Sequence, residues 1–152
     1  MAWRSLSHDP AGMDRLCCAP ERSGRVEQAE RDRLFEEGLS TYEAGDHYEA
    51  HERWEELWNE EEDEDERLFL QALIQMTSAV HKLLHDVEPK GALRLLDRAL
   101  QKTAHLGSVH RGIDLGGLRA EIESLRREAE RAISAGLKTL DRTKIPRIRR
   151  QG

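Results

Sequence analysis

Residues 48–58 read YEAHERWEELW, and the pattern of this stretch decides the fold. Wound as a helix at about 100° per residue, it places Tyr48, His51, Trp54 and Trp58 on one arc, continued by Ala50 and Leu57. Glu49, Glu52, Arg53 and Glu56 fall on the opposite arc, joined just beyond by Asn59 and Glu60. An amphipathic helix over His47–Glu60 follows, aromatic on one side and charged on the other. Two residues on the aromatic side break the apolar pattern: His51 and, one turn later, Glu55. Any reading of function starts from that pair.

The flanking segments extend the helical reading. Before the stretch, Gly45 suits the left-handed position that ends a helix, and Asp46 with Glu49 three residues on forms a capping box. The preceding helix is expected over Val26–Ala44, with Leu34, Phe35, Gly38, Leu39 and Tyr42 inward. After the stretch comes EEEDEDE, Glu60–Glu66. It lacks the spaced ligands and glycine of a calcium loop, so a solvated connection is expected, its later part favouring a helix N-terminus.

A third helix over Arg67–His85 is apolar around more than half its circumference, which places it centrally. Its narrow polar strip holds Gln71, Gln75, Ser78, Lys82 and His85, with His81 at the border. Pro89 opens a fourth helix that runs to Leu106. Asp114 caps a fifth, ending near Ala135, whose stripe is Leu115, Leu118, Ile122, Leu125, Ala129 and Ile133. The fold class is therefore all-α: an antiparallel bundle of about five helices, without strands. Gly38, Gly45, Ala50 and Trp54 stand at the offsets of a tetratricopeptide-like hairpin at its start. Residues 1–25 are expected to be a flexible tail, 26–136 the helical bundle and 137–152 a basic tail.

Composition narrows the function classes. Of 152 residues, 36% are charged, the net charge is −6, and no apolar run reaches the roughly 18 residues of a membrane span. The start lacks the apolar middle of a signal peptide, so a cytoplasmic location is expected, with Cys17 and Cys18 as free thiols. The basic end carries Lys138, Arg142, Lys144, Arg147, Arg149 and Arg150. No aromatic platform accompanies it, which argues against nucleic acid and leaves a small molecule or a protein as partner. No nucleophile with its base, phosphate-cradling loop or dinucleotide fingerprint is present.

Three accounts fit His51 and Glu55. They bind a divalent metal (zinc, manganese or iron), with His81 as third ligand and His47 in reserve, and with Gln71 and Gln75 orienting the ligands. Or they form a buried polar network that specifies how the helices meet. Or they line a cleft, where a histidine titrating near neutrality does acid–base work.

The stretches FEEGLSTYEAGDHYEAHERWEELW, FLQALIQMTSAVHKL and PKGALRLLDRAL resemble the domain-of-unknown-function 309 family of small helical bacterial and archaeal proteins. The resemblance runs over Leu34–Glu130. Its hallmark, His-x-x-x-Glu-x-x-Trp, is met by His51, Glu55 and Trp58, and a second by Ala72, Leu73, Ile74, Gln75 and His81, with Ala72 in place of the usual glycine. The resemblance implies a helical fold and a metal-binding His/Glu motif, with no assigned reaction. The expectation is thus a metal- or ligand-binding helical module with His51, Glu55 and His81 as ligands; if it is an enzyme, hydrolysis by a metal-bound water is the expected chemistry. The alternative is a non-catalytic scaffold for protein–protein interaction, in which the His/Glu pair is structural.

Overall fold

The computed structural model describes residues 24–86, 89–136 and 142–151. Among these, five α-helices follow one another: α1 (Gly24–Glu43), α2 (His47–Glu60), α3 (Glu64–His81), α4 (Pro89–Thr103) and α5 (Leu115–Ala135). Each packs on the next in sequence. The expected all-α bundle is the fold. The tail expected over residues 1–25, with Cys17 and Cys18, lies almost wholly outside the described residues.

Helix α2 has the bounds its pattern predicts. Asp46 accepts the Glu49 N–H at 3.1 Å, and Gly45 holds φ 94°. Glu49 does not complete the box; its carboxylate pairs with Arg53 at 2.9 Å. The buried Trp54 donates its indole N–H to the Phe35 carbonyl at 3.4 Å and lies over Gly38. Phe35 and Tyr42 flank this indole, and Phe35 in turn meets Phe69, which carries the core from α1 into α3.

Helix α3 starts three residues earlier than expected, because Asp63 caps it by accepting the Glu66 N–H at 2.9 Å. The acidic run is accordingly more than a solvated connection. Glu61 is buried, pairs with Arg31 and accepts the N–H groups of Glu62 and Asp63. Glu66 bonds His110 at 2.8 Å and pairs with Arg111. Helix α3 also ends earlier, at His81, where the chain continues as a π-helical turn over Lys82–Asp86.

The expectation of no strands needs correction. Val109–His110 (β1) and Ile113–Asp114 (β2) form a small antiparallel hairpin. Arg111 at φ 53° and Gly112 at φ 74° give the two positive φ angles of a type I′ turn. The glycine accepts this freely; Arg111 is held by Glu66, by Asp32 at 3.1 Å and by stacking over Phe35. The basic end returns to this hairpin. Asp114 N donates to the Arg149 carbonyl at 2.9 Å, Gln151 N to the Gly112 carbonyl at 2.7 Å, and Ile148 is buried. The Tyr42 hydroxyl donates to the Pro146 carbonyl at 2.7 Å, and burial raises its pKa above the ordinary value. Arg149 and Arg150 pair with Glu121 and Glu36, not with the acidic run.

A side chain at position 38 would place its Cβ 2.3 Å from Trp54 Nε1. Gly38→Ala is therefore expected to destabilise the protein by about 1–3 kcal/mol through overpacking, seen as a lower urea midpoint at unchanged slope.

Candidate functional site

The capping of α2 fixes its rotation, and Trp54 fixes the face it gives to α1. His51 is then turned inward and fully buried, and Glu55 is 9% exposed. His51 Nδ1 lies 3.5 Å from Glu52 Oε2 and 3.7 Å from Glu55 Oε1. Ligand atoms of these three residues all lie within 4.8 Å of one another, a grouping of His, Cys, Asp or Glu side chains found once among the described residues.

Helix α3 supplies the facing wall. Gln71 and Ile74, with Glu55 and Trp58, line a cavity of about 10 Å³, the threshold for one water. Arg67 stacks on the Trp58 ring at 4.3 Å and donates to the Trp58 and Glu61 carbonyls, closing the α2–α3 corner. The antiparallel register that sets Gln71 beside Glu55 carries Gln75 and Ser78 toward His51. Both are buried, and Gln75 Oε1 and Ser78 Oγ make no hydrogen bond among the described residues; nor do Glu52 Oε2 and Trp58 Nε1. Buried polar atoms of this kind normally have a partner, so such a concentration marks a place where a polar guest fits.

His81, six residues beyond Gln75 on α3, is buried, and its ring lies 4.6 Å from that of His85. The ligand atoms grouped with His51 come from Glu52 and Glu55. Glu52 starts from the charged arc, since adjacent helical residues diverge by about 100°; its two-carbon arm overcomes that divergence. Spacing rules concern Cβ positions and carry no signal for such a reach.

His47, the reserve ligand, stands one turn before His51, buried and edge-on to Tyr42 with ring centroids 5.1 Å apart. Burial lowers its pKa to about 4, with His85, Arg142 and His81 acting in the same direction and Asp46 opposing them.

Two comparisons with known proteins cover this segment. Residues 35–95, from the middle of α1 to the first turns of α4, match the model of a family described as a domain of unknown function (DUF309). An uncharacterised protein of Aquifex aeolicus (strain VF5) is 30% identical over 92 residues, covering 60% of this chain and 27% of that protein. The chain thus spans about a quarter of that relative's length. The resemblance expected over Leu34–Glu130 is borne out by the family model over residues 35–95, a segment that contains His47, His51, Glu55, His81 and His85.

His47 bears on stability through its protonation. Its folded pKa lies below the unfolded value of about 6.5, so the unfolded chain binds the extra proton at intermediate pH. Stability is full above about pH 6.5 and falls as the pH drops toward 4. Urea midpoints of chelator-treated protein should show this decline, with His47→Gln flattening it.

Proposed function

We propose that this chain is a small helical module that binds one divalent cation between α2 and α3, with His51, Glu52 and Glu55 as protein ligands. The supporting observation is the trio itself: a buried imidazole with one buried and one half-buried carboxylate, their ligand atoms converging inside 4.8 Å. Cations bound at about 2.0–2.2 Å have ligand atoms roughly 3–4 Å apart, so small side-chain rotations complete the set. One nitrogen and two carboxylate donors suit manganese, iron or zinc.

The remaining residues have defined work in this reading. Glu55 and Glu52 offset the charge of the ion and flank the imidazole, fixing its tautomer and tilt. Gln71 lines the cavity beside Glu55 from α3, and that cavity leaves room for a bound water or a ligand oxygen. A cation held there supplies Lewis acidity toward that oxygen. Trp58, capped by Arg67, closes the corner against bulk solvent. No helix of the described residues is long and apolar enough to cross a membrane.

The competing reading makes the trio and the two glutamines a polar network that only sets α2 against α3, on a scaffold whose first hairpin meets a protein partner. Manganese titration separates the two. The module is expected to bind one Mn²⁺, and His51→Ala or Glu55→Gln to weaken it by roughly tenfold or more. Wild-type protein indifferent to Mn²⁺, Zn²⁺ and Fe²⁺, with His51→Ala losing only stability, establishes the scaffold instead.

A further inference from the structure

The C-terminal segment does more than brace the hairpin. It is held by the Tyr42 hydroxyl on the Pro146 carbonyl, by the Arg147 N–H on Glu121 at 3.3 Å and by the buried Ile148. Between this segment and the end of α1 a cavity of about 410 Å³ remains. Tyr42, Pro146 and Ile148 give it a buried apolar lining, and the exposed Arg142, Arg147 and Arg149 give it a basic one. Arginines elsewhere in the bundle are mostly neutralised: Arg31 by Glu61, Arg111 by Glu66 and Asp32, Arg126 by Asp97. Arg149 likewise pairs with Glu121 at 3.6 Å. The side chains of Arg142 and Arg147 make no hydrogen bond or ion pair among the described residues, although the whole chain has a net charge of −6.

We infer that this cavity binds a small organic phosphate ester, its phosphate held by Arg142 and Arg147 and its carbon body set against Tyr42, Pro146 and Ile148. Small-molecule pockets run from roughly 300 to 1,000 Å³, with an apolar lining and a few charged groups that orient the ligand. The volume and the lining here have that form. A guanidinium presents its N–H donors in a flat fork that meets two phosphate oxygens at once. Two such forks without a carboxylate of their own can donate to one dianion. Glu43 is the carboxylate of the lining, and its charge repels an anion, which confines the phosphate to the arginine side. Packing alone does not account for the arrangement. The segment is seated by Ile148, by backbone hydrogen bonds and by the Arg149–Glu121 pair, none of which needs a charge at position 142 or 147.

Phenyl phosphate is the probe, with inorganic phosphate and phenol as its two halves. Full-length protein is titrated with each by calorimetry in EDTA, which keeps metal ions out of the reading, with thermal melts as a folding control. Wild type is expected to bind one phenyl phosphate, and to bind it tighter than either half by roughly tenfold or more. Arg142→Gln and Arg147→Gln are each expected to weaken it by roughly tenfold or more. Both residues are exposed, so their substitution keeps the fold. Glu43→Gln is expected to tighten binding, a change of opposite sign that damage to the fold does not produce. Arg33→Gln, exposed on α1 and outside the cavity, is expected to leave binding unchanged. Four outcomes overturn the inference: no binding of phenyl phosphate by wild type, equal affinity for inorganic phosphate, binding that survives the Arg142/Arg147 double substitution, or equal loss in Arg33→Gln, which would mean diffuse surface charge.

Discussion

The structure depends on the close seat of one indole on one bare Cα. Trp54 occupies the volume that any side chain at position 38 would need, and its N–H reaches back to the carbonyl of Phe35. This contact sets the distance between α1 and α2 and, together with the Asp46 cap, the rotation of α2 about its own axis. A helix so clamped has no choice about which residues it shows to α3. His51 and Glu55 face inward because Trp54, on the same side, must be buried.

The second consequence is a register. Helix α3 runs back along α2 from the Trp58–Arg67 corner, so polar residues a turn apart on one helix meet polar residues a turn apart on the other. Two clusters of different chemistry result. Near the middle of α2, an imidazole and two carboxylates face glutamines. One turn toward its N-terminus, His47 lies within reach of the charges of His81 and His85. Both belong to a segment that a single family model covers. Carboxylates in the first cluster offset positive charge, whereas burial lowers the pKa of His47, and the charges of His85, Arg142 and His81 act in the same direction.

The far side of the bundle is organised around a different constraint. A hairpin of two short strands sits on Phe69 and Phe35 through His110 and Arg111, and the basic end of the chain adds its backbone to that hairpin. Two members of the acidic run, Glu61 and Glu66, hold arginines and a histidine there and at α1. Charges that look like a solvated stretch are thereby drawn into partly buried pairs, which resist screening better than exposed ones. The pairing of Arg149 and Arg150 with Glu121 and Glu36 accounts for two of the C-terminal basic residues without any outside partner.

Local information was enough for much of this. Apolar periodicity, the caps Asp46 and Asp114, the left-handed Gly45 and the helix-opening Pro89 are properties of a few neighbouring residues, and they determined the five helices, the inward face of each and the burial of His51 and Glu55. Three things required the tertiary structure. The hairpin at Val109–Asp114 is too short for an alternating pattern to show, and it gains support from the distant backbone of Arg149–Gln151. Glu52 joins His51 through the reach of its side chain, which no periodicity encodes. Which α2 side chains stand opposite α3 depends on how far the two helices slide along one another, and that offset is set by packing between them, the Trp58–Arg67 corner included. Sequence determines which side of a helix is buried, since burial follows from its own period of 3.6 residues. Which side chains then meet across an interface is decided by packing between elements, because only there does the relative position of two helices have a cost.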